Sequence, residues 1–446
     1  MNKLRYSSSS TCLVVLIHIT VFLVPNLSYA EGFDSLLELR PQSGSTRIRP
    51  RSKRVLFLGE FGAQGDGLRD DTKAFRDTWE LACSFSGRTR IVLPAGNTFL
   101  IHPIDIAGPC QSKITLQICG TVVAPEDPGA WHGLNPHKWL YFHGVNHLTI
   151  EGGGAINGMG QEWWARSCKT NSTNPCKHAP TAITFHRCKY LNVKNFLVVN
   201  SQQMHMAFTK CRRVAASNLK VVAPAHSPNT DGIHISASKG VVVKDSIIRT
   251  GDDCISIVSN SSHIRISNII CGPGHGISIG SLGKSNSWSQ VQHVMVDGAF
   301  LSNTKNGLRI KTWQGGSGFA SEISFQNVVM ENVSNPIIID QYYCDSRVPC
   351  ANQTLAVKVE NVSFMRIRGT SATEEAIKFE CSDHSPCEGL YLEDIQLVSY
   401  SGGITRSLCW EAYGFSSGFV DPPACFSCSE SCIKQKVLLD PALHPF

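Results

Sequence analysis

The chain has 446 residues, of which 42% are hydrophobic and 17% charged, a globular composition that excludes an intrinsically disordered protein. The formal charge of +6 falls to about +4 if a leader with Lys3 and Arg5 is removed, which suits an acidic partner without demanding one. Basic and aromatic residues are not interleaved in the way that would argue for nucleic-acid binding.

The first element is an apolar run from Cys12 to Val24, preceded by basic residues and followed by Ser28-Tyr29-Ala30. A basic start, a short apolar region and a small-x-Ala end predict a secretory signal peptide over residues 1–30. A signal anchor is the alternative, but the run is too short for a comfortable membrane span. Residues 31–54 contain the basic run RIRPRSKR, which is either a solvated linker or a propeptide processing site.

Cysteine usage agrees with secretion. One of the 18 cysteines leaves with the signal peptide, and the odd remainder predicts several disulfides and at least one free thiol. The pairs Cys344/Cys350 and Cys381/Cys387 are spaced as small local loops, and four more cysteines crowd the C-terminal end. A CxxC at Cys425 and Cys428 could indicate metal or redox chemistry, but a disulfide is favoured outside the cytosol. Candidate glycosylation sites are Asn171, Asn260, Asn332, Asn352 and Asn361.

The folded part is expected to run from Val55 to the C-terminus as one domain, because no internal linker interrupts it. Asp71 or Thr72 can cap a short helix whose apolar residues share one face. Those residues are Phe75, Trp79, Ala82 and Cys83. Such a helix would cover the open apolar end of a solenoid.

From about Ile91 the chain becomes a series of short β-branched runs separated by turns rich in Gly, Asn, Asp and Ser. The leading strands are predicted to start at Ile183, Ala207, Ile233, Ile255, Ile277, Leu308 and Ile337. Each interval also holds further strands, such as Val241 to Val243 and Ile247/Ile248. A period of about 22 residues with three short strands predicts an all-β fold, a right-handed parallel β-helix.

Polar residues recur at one phase of this repeat. Asp231 precedes one strand, Asp252 and Asp253 precede the next, and His275 precedes the third. The interval from Asp231 to Asp253 and that from Asp253 to His275 are both 22 residues. In the fourth strand, Arg309 and Lys311 alternate with apolar residues. Equivalent positions of a coil stack at ~4.8 Å, so all six side chains should share one surface patch. Each alone would be an ordinary turn or surface residue; together they indicate a site.

The fragments NTDG at Asn229, GDD at Gly251, GHG at Gly274 and RIK at Arg309 are similar to those of polygalacturonases, the pectin-cutting members of glycoside hydrolase family 28. The likeness extends from FGAQGDGLRDDT to IIIDQYYC at Ile337, and plant secreted members look most similar. It implies a cell-wall hydrolase that cleaves α-1,4 links of polygalacturonate or pectin by inversion, with endo action favoured. We also expect no cofactor, a monomer, and no membrane association once the signal is removed.

The resemblance assigns roles to individual residues. Asp252 would be the general acid, with His275 maintaining its protonation, while Asp231 and Asp253 would hold and activate the water. One rung places Asp231 and Asp253 about 4.8 Å apart, nearer the retaining separation, so inversion is implied by the family and not by the spacing. Crowding of three carboxylates should push at least one pKa upward.

The resemblance also supplies substrate-binding residues and a disulfide. Arg309 and Lys311 would clamp a uronate carboxylate. Tyr343 would line a sugar subsite, and Asn229 is a further substrate-binding candidate. The counterparts of Cys254 and Cys271 form a disulfide, which would brace the loop behind the acid.

Several alternatives stay open. These are an exo-acting enzyme, a hydrolase of the same family acting on rhamnogalacturonan, a calcium-dependent pectate lyase and a non-catalytic wall protein that binds carbohydrate. RIK favours a uronate beside the cleavage point, and GDD with GHG is the hydrolase pattern; no metal is expected. Four further residues could touch sugar or simply pack: His205, Trp163, Trp164 and Trp313.

Overall fold

The computed structural model describes residues 53–426, so the predicted signal peptide, nearly all of the basic linker, and Cys428 and Cys432 lie outside the described residues. The strands are β1 Lys53–Phe57, β2 Asp66–Asp70, β3 Gly87–Leu93, β4 Thr98–Leu100, β5 Ile104–Ala107, β6 Ser112–Ile118, β7 Thr121–Val123, β8 Lys138–His143, β9 Thr149–Glu151, β10 Ala155–Asn157, β11 Thr181–His186, β12 Lys189–Val199, β13 Met206–Thr209, β14 Arg212–Val222, β15 Ile233–Ser236, β16 Lys239–Arg249, β17 Ile255–Ile257, β18 Ser261–Cys271, β19 Ile277–Leu282, β20 Trp288–Ser302, β21 Asn306–Thr312, β22 Ser317–Val333, β23 Asn335–Asp340, β24 Lys358–Ser371, β25 Glu375–Glu380, β26 Cys387–Ser399, β27 Arg406–Trp410 and β28 Ala412–Asp421. The α-helices are α1 Thr72–Ser84 and α2 Gln161–Ala165, and 3-10 turns lie at Leu58–Phe61, Pro128–Trp131 and Lys284–Asn286.

The strands form a parallel β-helix. Eleven of them, running from β5 through β8 and the odd-numbered strands β11 to β27, make one parallel sheet, which we call the front sheet. Its register pairs Ile233 with Ile255, Ile255 with Ile277 and Ile277 with Leu308. The predicted repeat is therefore confirmed over these coils.

Two details of the predicted strands were wrong. Ile183 pairs with Met206 and not with Ala207, so the predicted start of β13 was one residue late. The segments around Val243 and Ile248 belong to the single strand β16, which bends at Asp245 with a left-handed φ of 51°. Asp tolerates that conformation, so the chain can turn a corner without leaving the hydrogen-bonded ladder.

The interior consists of aligned apolar side chains stacked along the axis. Phe142, Phe185 and Phe208 stack at ring separations of 5.2 and 5.5 Å. Because each coil places its inward residue above the last, one continuous apolar core runs through residues 58–412.

Helix α1 closes the N-terminal end of this core, as predicted. Its Phe75, Trp79 and Ala82 are buried, and the Trp79 indole donates a hydrogen bond to the Ala107 carbonyl at 3.1 Å. Asp71 occupies the N-cap position, but its carboxylate accepts hydrogen bonds from the backbone of residues 64 and 65 instead of capping the helix.

The described cysteines pair mainly with near neighbours in sequence. The bridges include Cys83–Cys110, Cys168–Cys176, Cys254–Cys271, Cys344–Cys350, Cys381–Cys387 and Cys409–Cys425. Cys425 thus forms a disulfide, as favoured over a metal site. Cys188 and Cys211 are free, buried thiols. Within residues 53–426, no helix is long and apolar enough to cross a membrane.

Candidate active site

The candidate site lies on the outer face of the front sheet, where the turns before β15, β17 and β19 meet strand β21. The inward residues Ile233, Ile255, Ile277 and Leu308 are fully buried and anchor these four strands to the core. The polar residues at the predicted phase therefore stand together on the other face. The ligand atoms of Asp252, Asp253 and His275 lie within 4.8 Å of one another.

Asp253 is held by two cations. Its Oδ1 accepts a hydrogen bond from Nη2 of Arg309 at 2.6 Å, and its Oδ2 accepts one from Nζ of Lys311 at 2.8 Å. The Ser278 hydroxyl donates to Oδ1 at 2.8 Å. Burial alone would raise the pKa of Asp253, but the charges of Arg309 and Lys311 outweigh it and hold the pKa below its usual value. This carboxylate is therefore ionised.

Asp231 is buried and has no ion-pair partner within 4.0 Å among residues 53–426, although the more distant charge of Lys311 acts to lower its pKa. Its Oδ2 accepts a hydrogen bond from the Ser256 hydroxyl at 2.8 Å. Burial raises its pKa well above the usual value, and the negative charges of Asp252 and Asp253 raise it further. The increase in pKa that crowding of the carboxylates predicts is therefore found at Asp231, because Arg309 and Lys311 contact Asp253 instead.

Asp252 is the most accessible of the three carboxylates, with a side chain 19% exposed. Its Oδ1 lies 3.0 Å from Nδ1 of His275, which also donates its backbone N–H to the Asp252 carbonyl at 2.7 Å. Asn229 donates from Nδ2 to Oδ2 of Asp252 at 3.4 Å. Asp252 is thus positioned by neighbours on both sides and still reaches solvent.

Two aromatic rings line the side of the cluster formed by β21 and the segment after β23. Tyr343 lies with its ring 5.4 Å from Nζ of Lys311 and packs edge-on against Trp313 at 5.3 Å. Burial raises the pKa of the Tyr343 phenol, so it stays protonated and can donate a hydrogen bond. Behind the acid, Cys254 and Cys271 are joined by a disulfide that ties the start of β17 to the end of β18.

Sequence reasoning missed the residues that support the carboxylates. Ser256 and Ser278 occupy the same outward position of consecutive strands, and each donates to a different Asp. His234 lies next to Ser256 in register, with Nδ1 2.8 Å from its hydroxyl oxygen, and burial lowers its pKa to about 4. The repeated Ile-Ser-Ile pattern of β17 and β19 was the available signal.

The residues left undecided by the sequence divide into two groups. His205 is fully buried and bonds the Asp231 carbonyl through Nδ1 at 3.1 Å, so it supports the turn from behind. Trp163 packs edge-on against Trp131, and Trp164 donates to the Ser201 carbonyl at 3.0 Å. Only Trp313 approaches the site, through Tyr343.

The cluster has a donor set that fits calcium poorly. Calcium prefers six to eight oxygen ligands, whereas the three groups whose ligand atoms lie within 4.8 Å of one another are the carboxylates of Asp252 and Asp253 and the imidazole of His275. Both oxygens of Asp253 are already engaged by cations. The arrangement is better suited to proton transfer, since an accessible carboxyl lies beside one that is held ionised.

The fold and the site define a class of protein, a parallel β-helical enzyme with clustered carboxylates of the kind that acid–base glycoside hydrolysis requires. Residues 83–413 match the sequence profile described as glycosyl hydrolases family 28. The chain belongs to this family.

Individual relatives agree. The chain is 60% identical over 436 residues to a probable polygalacturonase of Arabidopsis thaliana, covering 97% of this chain and 98% of that one. It is 55% identical over 354 residues to a polygalacturonase of Persea americana, covering 79% and 76%. Among solved structures, an endo-xylogalacturonan hydrolase from Aspergillus tubingensis has the same fold, with a TM-score of 0.70 at 23% identity, covering 82% of this chain and 100% of that one.

Proposed function

We propose that this chain is a secreted polygalacturonase that hydrolyses the α-1,4 links between galacturonosyl residues of polygalacturonate or pectin in the cell wall. Relatives named polygalacturonase, at 60% and 55% identity, support the substrate class. The observation that carries the proposal is the division of labour among the carboxylates. Asp253 is held ionised by Arg309 and Lys311, while the accessible Asp252 is not paired with either of them.

In the proposed reaction, Asp252 protonates the leaving glycosidic oxygen. Its contact with His275 orients the carboxyl, and its exposure lets it reach the substrate. Asp253, which is held ionised, accepts the proton of the attacking water, and Asp231 helps to hold that water in place. Water delivered from the face opposite the leaving group gives inversion, as the family resemblance implies.

Arg309 and Lys311 have a second proposed task. Each uses one donor on Asp253 and retains further N–H groups, because a guanidinium has five donors and an ammonium three. Nε of Arg309 donates to the Ser278 hydroxyl at 3.0 Å, and in the proposal the remaining N–H groups of both cations bind a uronate carboxylate next to the cleavage point. Tyr343 adds a ring and a protonated hydroxyl to this sugar position.

A calcium-dependent lyase is the main alternative from another class of reaction. The donor set described above counts against it, since the acidic oxygens of Asp253 are neutralised by cations rather than left for an ion. Endo action is favoured over exo action within the proposal, and the viscosity of the substrate solution distinguishes them.

The test uses de-esterified polygalacturonate with and without a chelator, following reducing ends, ultraviolet absorbance and viscosity together. The proposal expects reducing ends without unsaturated product, unchanged by the chelator, and an early fall in viscosity. Asp252→Asn should lower kcat by a factor of about 10² or more. The matched control is Asp245→Asn on strand β16, where the left-handed backbone accepts Asn equally well. Unsaturated product that disappears with the chelator would refute the hydrolase.

A further inference from the structure

Three residues near the C-terminal end of the front sheet form a fixed aromatic surface, which we call the Trp410 platform. The Trp410 indole donates from Nε1 to Oδ1 of Asp383 at 2.7 Å, and the Tyr342 hydroxyl donates to Oδ2 of the same carboxylate at 3.1 Å. Trp410 is nevertheless 55% exposed. Its orientation is thus fixed by a hydrogen bond while much of the ring faces solvent, an arrangement suited to stacking on a sugar ring.

The Trp410 platform continues the surface of the candidate active site. In the register of the front sheet, Lys311 pairs with Asp340, Asp340 with Glu380 and Glu380 with Trp410. Three steps of ~4.8 Å place Trp410 roughly 14 Å beyond Lys311 on the same outer face. Tyr342 is also the chain neighbour of Tyr343. A polymer bound across the carboxylate cluster therefore reaches the platform within a few sugar units.

The elements that carry the platform are braced. A disulfide between Cys381 and Cys387 closes the short loop that holds Asp383, and the bridge between Cys409 and Cys425 anchors the end of β27 next to Trp410. A surface fixed in this way loses little conformational entropy when it binds a ligand. Such pre-organisation is a property expected of a binding subsite.

The charge around the platform is acidic. Asp340 and Asp383 have no ion-pair partner within 4.0 Å among residues 53–426, and Glu380 is matched only by Lys378 at 3.0 Å. A free uronate carboxylate placed here would meet like charge at close range, which is unfavourable. An uncharged sugar ring would meet no such repulsion.

The other side of the carboxylate cluster carries three cations, Lys138, Arg187 and Lys210, of which only Lys138 has an ion-pair partner among residues 53–426, namely Asp105 at 3.2 Å. There His186 stacks on His143 at 5.2 Å. Burial and His143 lower the pKa of His186, and the nearby charges of Arg187, Lys210 and Lys138 lower it further. Free uronates are favoured on that side. The outer face of the front sheet therefore changes from cation-rich to acidic along the axis of the coil, with the reactive carboxylates between.

We propose that the Trp410 platform is a distal subsite that binds a methyl-esterified galacturonosyl residue by ring stacking and selects against the free acid. The proposal rests on the proposed function, because it takes the polymer of that reaction as its ligand. It assigns the chain a partly esterified substrate, with free acids on the β8–β13 side and at the cleavage point, and esters on the β23–β27 side.

The test measures dissociation constants calorimetrically, using galacturonate oligomers of one length in fully de-esterified and partly methyl-esterified form. The full chain is used in an Asp252→Asn background, so that binding is read without turnover. Trp410→Ala should weaken binding of the esterified oligomer by roughly three- to tenfold and leave the de-esterified oligomer within a factor of about two. Trp288→Ala is the matched control, since Trp288 is 54% exposed but lies on β20, outside the front sheet.

A second variant keeps the test decisive if Trp410→Ala unfolds. Asp383→Asn removes the negative charge and should tighten binding of the de-esterified oligomer severalfold, with little change for the ester. Equal effects of either variant on both oligomers, or no effect of either, would overturn the proposal. Failure of the proposed function would be seen separately, as an absence of hydrolysis by the unaltered protein on either form of the polymer.

Discussion

Replacing Lys311 by Met tests how strongly the buried cations stabilise Asp253. Lys311 and Arg309 are 7% and 8% exposed, and Asp253 is 2% exposed, so the three charges interact with little solvent screening. Met preserves the length of the aliphatic stem and removes only the charge, so packing changes little. What remains is a buried carboxylate with one cation in place of two.

The expected cost follows from that geometry. Removing one partner of a buried ion pair destabilises a protein by roughly 3–5 kcal/mol, and the lower end, about 3 kcal/mol, applies because Arg309 still contacts Asp253. The control is Lys358→Met, since Lys358 also bridges two carboxylates, at 3.0 and 3.1 Å, but is 44% exposed. An exposed bridge of this kind contributes about 0–1 kcal/mol.

Urea unfolding at neutral pH, followed by tryptophan fluorescence, gives the free energy of unfolding for both variants. The same samples are assayed on de-esterified polygalacturonate, where Lys311→Met should lower kcat/KM by a factor of about 10²–10³ and Lys358→Met should not change it. If Lys311→Met is no less stable than Lys358→Met, the claim that paired cations hold Asp253 ionised is wrong.

Three further predictions follow from the same site. Asp231→Asn should abolish activity yet raise the melting temperature at pH 7. The melting temperature should rise because burial and the neighbouring charges raise the pKa of Asp231, which means that its ionised form destabilises the fold. That gain should shrink as the pH falls towards 4, where the carboxyl is protonated anyway; a melting temperature that rises equally at both pH values would contradict the argument. Replacing both Cys254 and Cys271 by Ser opens a loop of 17 residues and should lower the free energy of unfolding, measured by urea titration, by about 3 kcal/mol. The Cys344/Cys350 double variant, which opens a shorter loop, is the control. A smaller loss for the Cys254/Cys271 variant than for this control would argue against a bracing role. Dialysis against a chelator should leave both kcat and the melting temperature unchanged, and a loss of either restored by calcium would show a metal site that the donor set does not predict.

The core-facing residues of the β-helix could be predicted from the sequence, because the regular spacing of apolar residues specifies them directly. The isoleucines of β15, β17 and β19 point inward at a spacing of 22 residues, and their register followed from that spacing. Where the spacing changes, the prediction was less accurate. The start of β13 was misplaced by one residue because Met206 and Ala207 are both apolar, and the pattern does not choose between them.

The arrangement of the polar residues on the outer face could be predicted only in part. The sequence predicted which polar residues share the patch, since they occupy one phase of the repeat. Which cation pairs with which carboxylate depends on side-chain reach across two coils, as between Arg309 and Asp253, and no pattern of residue types encodes that. For the same reason the roles of Ser256 and Ser278 emerged only from their hydrogen bonds.

The bends of the long strands were also beyond the sequence argument. The sequence argument placed Asp and Asn in the turns between strands, which is their common use, and Asp245 and Asn268 depart from it. Here each adopts a left-handed conformation inside a strand, and Asn268 donates to Asp245 across one rung at 3.0 Å. The stacking of like residues on successive rungs stabilises a corner that neither residue specifies alone.

The most direct test of the central claim is the configuration of the first product. Proton NMR during hydrolysis of a de-esterified galacturonate oligomer follows the new reducing end before mutarotation. An acid at Asp252 and a water held by Asp231 and Asp253 predict that the β-anomer appears first and is lost in the Asp252→Asn variant. If the α-anomer appears first, a carboxylate of this cluster attacks the sugar directly, and the water-holding role of Asp231 and Asp253 is wrong.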